Sequence, residues 1–126
     1  MHKNIVETKD SFYDEDKGML IMVMEYCEVG DLTRLVNYMR LSGGRFSEPS
    51  ILTVMAQSCE ALAYTHSQNV LHQDIKTDNL FVKLDGSIKL GDFGLGKVLT
   101  HLKEDEVKGY VGTPSYSSPE ASTKQV

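Results

Sequence analysis

Asp74, Lys76 and Asn79 lie close together in the stretch Val70 to Val82, and Asp92 follows in Leu90 to Leu95. Two carboxylates, an ammonium and an amide are the groups that phosphoryl transfer calls for. One carboxylate orients the attacking hydroxyl and accepts its proton, a cation sits near the moving phosphate, and oxygen ligands hold magnesium. Asp74 and Asn79 are five apart on what reads as one tight loop. Asp92 returns after two short apolar segments, Phe81 to Leu84 and Ser87 to Leu90, joined at Asp85 and Gly86, a pair that favours a hairpin turn. That spacing lets Asp92 and Asn79 share metal ions while Asp74 faces a substrate. Any one of these side chains alone is ordinarily a solvated surface group, so the weight rests on their joint order.

The elements that must hold them can be read upstream. Asp31 can cap a helix over Leu32 to Arg40, with Leu32, Leu35, Val36 and Met39 on one face, and Ser42, Gly43 and Gly44 end it. Ser47 caps the longest periodic segment, which carries Pro49 in its first turn and runs to about Ser67. Ile51, Leu52, Met55, Ser58, Cys59, Leu62, Ala63 and His66 recur there at helical spacing. Nearer the start, Asn4 to Thr8 and Met19 to Tyr26 read as two strands separated by the acidic stretch Asp10 to Lys17. Met1 to Val6 reads as the continuation of something longer. From Asp92 onward, glycines, prolines, serines and charges without periodicity predict a long functional loop.

Composition narrows the class. A chain of 126 residues that is 40% hydrophobic and 25% charged has the make-up of one globular domain rather than a disordered or fibrous segment. A formal charge of -5 with no basic run argues against nucleic acid as a partner. Cys27 and Cys59, in a sequence without a signal-peptide pattern, fit a reduced intracellular, cytoplasmic setting, with a single bridge between them left open. The longest apolar runs, Met19 to Met24 and Ile51 to Met55, fall far short of the ~20 residues that span a bilayer, so no membrane is expected.

Three separated signatures stand in order: H-x-D-x-K-x-x-N from His72 to Asn79, D-F-G from Asp92, and G-T-P-x-Y-x-S-P-E from Gly112 to Glu120. In these the chain resembles a eukaryotic Ser/Thr protein kinase. Within that group it is most similar to the NIMA-related kinases through M-E-Y-C-E-x-G-D-L at Met24 to Leu32, N-L-F at Asn79 to Phe81, G-D-F-G-L at Gly91 to Leu95 and V-G-T-P at Val111 to Pro114. Lys76 and Thr113 resemble the Ser/Thr rather than the Tyr kinases. The resemblance implies an α+β, protein-kinase-like fold that is partial. Residues 1–26 would be N-lobe strands and hinge, a two-strand remnant of the upper sheet, and residues 27–126 a helical C-lobe up to the activation segment.

It further implies ATP and Mg2+ as cofactors and protein Ser/Thr hydroxyls as substrates. Asp74 would be the catalytic base, Lys76 would steady the phosphate, Thr113 would bridge the two, and Asn79 and Asp92 would hold magnesium. Met24 resembles a gatekeeper behind the adenine, backbone groups of Glu25 and Cys27 would meet its edge, Asp31 would meet the ribose, and Phe81 would form the floor. His72 and Phe93 resemble spine residues, His72 a hydrogen-bonded core histidine and no catalyst.

Several positions depart from the family pattern. The sequence carries no Gly-rich loop, no strand lysine of the V-A-I-K type and no partner glutamate, and Glu120 has no visible arginine partner, so the isolated chain is expected to transfer negligible phosphate and to be poorly stable. Gln73 stands where an arginine usually pairs with a phosphorylated loop, and Gly109 where NIMA-related kinases place the phosphorylated residue, which predicts a loop not set by phosphorylation. Glu104, Asp105 and Glu106 read as a solvated loop face. Thr77 replaces a common proline, and Thr8 is polar where a spine residue is usually apolar. The alternative reading is a pseudokinase, a kinase-like interaction module without turnover; the intact Asp74, Asn79 and Asp92 favour the enzyme.

Overall fold

A computed structural model describes residues 1–99 and 112–119 of the chain. Two helices and three small antiparallel sheets make up this part, an α+β arrangement. Strand β1 (Thr8–Asp14) pairs with β2 (Met19–Met24), and the register slips by one residue between Thr8 and Asp10. Helix α1 (Leu32–Leu41) follows the two-residue strand β3 (Gly30–Asp31), and α2 spans Glu48–Ser67. Strands β5 (Leu80–Val82) and β6 (Ile88–Leu90) form a hairpin with β3 on its outer edge, while β4 (Val70–Leu71) pairs with β7 (Lys97–Val98).

Both helices start as their sequences predict. The Asp31 carboxylate accepts from the Arg34 N–H at 2.7 Å, and Ser47 Oγ accepts from the Ser50 N–H at 3.3 Å, each satisfying an orphan donor of a first turn. Helix α2 hands over to β4 through Asn69, whose φ of 57° lies in the left-handed region that asparagine tolerates at helix ends. Ala61 of α2 is fully buried against Leu80, Val82, Ile88 and Leu90, and Leu32 of α1 closes the same cluster. Leu32 and Leu35 of α1 and the Val54, Ala61 and Leu62 side of α2 thus seat the β5–β6 hairpin, which separates Asn79 from Gly91. The stripe expected on α2 is corrected: Ile51, Leu52, Met55, Cys59, Ala63 and His66 are exposed, because the hairpin packs on the Val54, Ala61 and Thr65 side instead.

The expected strand Asn4 to Thr8 is corrected. Ile5 makes a parallel bridge to Leu90, the Val6 N–H donates to the Leu90 carbonyl at 2.8 Å, and the Leu90 N–H donates to the Asn4 carbonyl at 2.8 Å. This apolar stretch therefore extends the β5–β6 sheet toward the core, and the first long strand begins only at Thr8. Most of the acidic stretch read as the turn is strand; the reversal sits at residues 15–18, held by Lys17 N–H on the Asp14 carboxylate at 3.1 Å and by Gly18 at φ 63°. The loop expected after Asp92 contains strand β7. Cys27 and Cys59 are both free thiols, one buried and one exposed, so the bridge left open by the sequence is absent.

Candidate active site

Residues 72–79 form a loop that enters from β4 and leaves into β5 through a single 3-10 turn at Thr77–Asn79, closed by the Asn79 N–H on the Lys76 carbonyl at 3.1 Å. Its tightness puts Gln73 at φ 67°, a left-handed conformation uncommon for a side chain of this size. Asp74 is 8% exposed and takes donors on both oxygens: Lys76 Nζ at 2.7 Å and Asn79 Nδ2 at 3.2 Å on one, Thr113 Oγ1 at 2.7 Å on the other. Asn79 Nδ2 also donates to the Asp74 carbonyl at 2.8 Å, and Lys76 Nζ donates to Thr113 Oγ1 at 2.9 Å. The hydrogen bond from Lys76, then that from Thr113, hold the Asp74 carboxyl below its ordinary range despite its burial. The same bond from the other side raises Lys76.

Asp92 joins this cluster through the hairpin. Leu80 pairs with Leu90, and the next residue, Gly91, donates its N–H to the Asn79 carbonyl at 2.9 Å, which sets Asp92 beside the end of the 72–79 loop. Its charge is among those that raise Lys76. Asp92 sits at φ 58° and accepts from the Gly94 N–H at 3.2 Å. Gly91 has to be small: a Cβ there would lie 2.9 Å from Phe81 Cε2 and 3.0 Å from Val6 Cγ2. Beneath the turn, His72 Nδ1 accepts from the Asp74 N–H at 3.3 Å. Its proton therefore resides on Nε2, which donates to the Gly91 carbonyl at 2.9 Å, while the ring packs on Phe93 at 4.6 Å. Buried and bonded at both nitrogens, His72 is the core histidine the sequence predicts.

A largely apolar cavity of about 720 Å³ opens next to this cluster. Met24, Glu25, Cys27, Asp31, Phe81 and Asp92 all line it, together with Val6, Thr8, Met22, Tyr26, Gly30, Gly91, Phe93 and Gly94. The site residues expected from sequence thus fall into two adjoining groups. Asp74, Lys76, Asn79 and Thr113 form the polar cluster, the other six line the cavity, and Asp92 belongs to the wall between them. Met24 is half exposed. The Glu25 N–H is engaged with the Glu7 carbonyl at 2.9 Å and the Cys27 carbonyl accepts from the Gly30 N–H at 3.1 Å, which leaves the Glu25 carbonyl and the Cys27 N–H as the backbone groups of these two residues that could serve a ligand.

Two features were not read from the sequence. The Glu25 side chain ties the segment after β2 to the sheet below, accepting from Lys89 Nζ and the Glu7 N–H, each at 2.8 Å, with Lys83 Nζ at 3.8 Å. Burial pushes this carboxyl up, and the two lysines with the Glu7 N–H more than offset it, leaving it below its ordinary value. Burial, then the Glu25 charge, push the Cys27 thiol up, away from thiolate reactivity. The second feature is a hydroxyl bridge, Thr33 Oγ1 to Thr77 Oγ1 at 2.6 Å and Thr77 Oγ1 to Tyr116 OH at 2.9 Å. Only the hydroxyl types were legible, since their partners are far apart in the chain.

Among the described residues no three His, Cys, Asp or Glu side chains are grouped as a self-sufficient metal site. The amide of Asn79, its nitrogen committed to Asp74, has its oxygen left for a cation, and Asp92 adds a carboxylate. One carboxylate and one amide suit magnesium, which keeps several waters and takes phosphate oxygens, better than an ion needing an all-protein cage. No helix among the described residues is long and apolar enough to cross a membrane. Gly109, the acidic trio Glu104, Asp105 and Glu106, and Glu120 lie outside the described residues.

The chain matches the protein kinase domain family over residues 1–125. It is 44% identical over 119 residues to the serine/threonine-protein kinase Nek1 of Mus musculus, covering 94% of this chain and 10% of that protein. Over 124 residues it is 44% identical to the serine/threonine-protein kinase PAK mbt of Drosophila melanogaster, covering 98% and 18%. The serine/threonine-protein kinase Nek5 of Homo sapiens is 42% identical over 120 residues, covering 94% and 16%. The chain spans less than a fifth of each of these three relatives, and the recurrence of Nek proteins agrees with the likeness read from Met24 to Leu32.

Proposed function

The chain belongs to the protein kinase domain family, and on that premise we propose that it is the part of a Ser/Thr protein kinase that receives Mg-ATP and the protein hydroxyl. The observation that carries the reading is the cluster on Asp74: a buried carboxylate held ionised by Lys76, Thr113 and Asn79 beside a cavity whose wall carries Asp92. Asp74, kept below its ordinary pKa, orients an incoming Ser or Thr hydroxyl and takes its proton late, as that hydroxyl acquires the phosphoryl group. Lys76 brings its charge to the moving phosphate, and Thr113 holds acid and base partners at a fixed separation. Asn79 and Asp92 hold magnesium, which when bound neutralises the charge developing on the phosphate oxygens.

The cavity takes the nucleoside. Phe81 and Met24 supply apolar faces for a purine, the Glu25 carbonyl and the Cys27 backbone meet its edge, and Asp31 meets the ribose. Residues 1–26 act as upper strands and hinge, residues 27–126 as the lower lobe up to the activation segment. The full-length protein acts on protein substrates in the cytoplasm.

Phosphate transfer from Mg-ATP to a protein substrate by the full-length protein, beside its Asp74→Asn and Asp92→Asn variants, tests this. Asp74→Asn should keep nucleotide binding and lose turnover by at least about a hundredfold, the usual scale for a general base. Asp92→Asn should lose magnesium-dependent nucleotide binding. A wild-type protein that binds ATP and never transfers phosphate would instead be a pseudokinase that serves as an interaction module.

A further inference from the structure

The hydroxyl of Thr77 joins two elements that the catalytic cluster does not otherwise connect. Thr77 opens the 3-10 turn between Lys76 and Asn79, and its Oγ1 lies 2.6 Å from Thr33 Oγ1 on the first turn of α1 and 2.9 Å from Tyr116 OH. Tyr116 ends the second 3-10 turn, Pro114–Tyr116, and its own N–H donates to the Thr113 carbonyl at 2.9 Å. Thr113 in turn bonds Asp74 and Lys76. A ring of contacts therefore runs from Asp74 through Thr113 and Tyr116 to Thr77 and back along the loop. A threonine hydroxyl donates one proton and accepts up to two, so Thr77 bonds both neighbours as long as at least one of them donates to it.

Resting on the kinase reading, we propose that Thr77 is a positioning residue that anchors the segment 112–119 to α1 and so sets the apparent affinity for the protein hydroxyl substrate. Neither Thr77, Thr33 nor Tyr116 lines the cavity assigned to the nucleoside, and Tyr116 connects to Asp74 through Thr113, whose carbonyl takes its N–H and whose hydroxyl donates to Asp74. Loss of the bridge frees the 114–116 turn to drift, and the substrate hydroxyl then meets Asp74 less often in the right pose. The Tyr116 ring is half exposed, so its apolar burial alone holds it weakly and the hydroxyl bond carries the difference.

Steady-state kinetics of the full-length protein with Thr77→Val, Thr77→Ser, Tyr116→Phe and the Val/Phe double variant decide the matter. Thr77→Val is nearly isosteric and removes both bonds, so KM for the protein or peptide substrate should rise about three- to tenfold, the worth of one or two neutral hydrogen bonds, with KM for ATP unchanged. Thr77→Ser should restore the wild-type value, Tyr116→Phe should move in the same direction, and the double variant should be no worse than Thr77→Val. Unchanged substrate KM in Thr77→Val, a rise in KM for ATP in step with it, or a loss that Thr77→Ser does not rescue each overturns the proposal. If Thr77→Val fails to fold, the Tyr116→Phe substrate KM decides alone. Wild-type protein that transfers no phosphate sinks the kinase reading rather than the bridge. Amide hydrogen exchange at Tyr116 then judges the bridge: faster in Thr77→Val and restored in Thr77→Ser sustains it, and identical rates overturn it.

Discussion

Asp74 is buried with three donors on its two oxygens, and the sign of its contribution to stability follows from that. Its folded pKa lies below the ordinary 3.8, so the stabilisation is fully present above that value and is lost as pH falls through the folded one. Lys76 is raised above 10.5, so its share is fully present below that value and is lost as pH rises through the folded one. The stability gap between the protein and Lys76→Met should therefore be level from about pH 5 to about pH 9 and narrow in strong acid. Urea midpoints across a pH series check this, and a gap that drifts between those limits would assign the effect to other groups. At Gly91 the constraint is space rather than charge. Gly91→Ala drives a methyl into Phe81 and Val6 and should cost about 1–3 kcal/mol while weakening nucleotide binding, because Phe81 has to turn into the cavity. Thermal shifts with and without Mg-ATP separate the two effects. The identities at this scale were legible because Asp74, Lys76, Asn79 and Asp92 have a fixed order. The Glu25 to Lys89 tie and the Thr77 bridge were not, because each joins residues more than thirty apart whose types alone announce nothing.

Between β3 and α1, Asp31 serves two elements at once. Its Oδ1 caps α1 through the Arg34 N–H, and the residue also lines the cavity. Asp31→Ala should lose about 1 kcal/mol of stability with the cap. Asp31→Asn keeps an oxygen for the same N–H and should stay within a few tenths of a kcal/mol of wild type, since asparagine caps about as well. Nucleotide affinity that falls in Asp31→Asn as far as in Asp31→Ala would place the proposed ribose contact on the carboxylate charge, affinity retained in Asp31→Asn alone would place it on the oxygen shared by both, and affinity unchanged in Asp31→Ala would mean that Asp31 makes no such contact. Denaturant unfolding and ATP titration of the same three proteins supply both readings. The caps were legible because Asp31 and Ser47 each precede a periodic run, and a local hydrogen bond is enough to start a helix. Strand β1 was not: Thr8–Asp14 is polar and becomes a strand only because β2 pairs with it. The more apolar Ile5 and Val6 leave the hairpin for Leu90. The two-residue strands β4 and β7 are likewise products of tertiary pairing, with no periodicity for a sequence pattern to show.

Across the whole molecule, apolar burial is uneven. The cluster around Ala61, Ile88 and Leu90 is closed, while the β1–β2 hairpin leaves Met19, Leu20, Met22 and Val23 exposed. Neighbouring strand residues point to opposite faces, so β2 is apolar on both, the pattern of a strand buried from two sides. Met22 and Met24 share the face that lines the cavity. Met19 and Val23 point the other way, where a two-stranded hairpin is marginal in water and offers an apolar surface for association. The chain 1–126 by itself should therefore self-associate at concentrations on the order of tens of micromolar, the range in which exposed apolar strands associate. Met19→Lys with Val23→Thr should shift it toward monomer without touching the cavity wall, since charges along such a surface suppress edge and face pairing. Light scattering on size-exclusion fractions measures both. A wild-type chain that stays monomeric over this range, or a double variant that associates just as strongly, would mean that the outer face of β2 is not the surface that drives association.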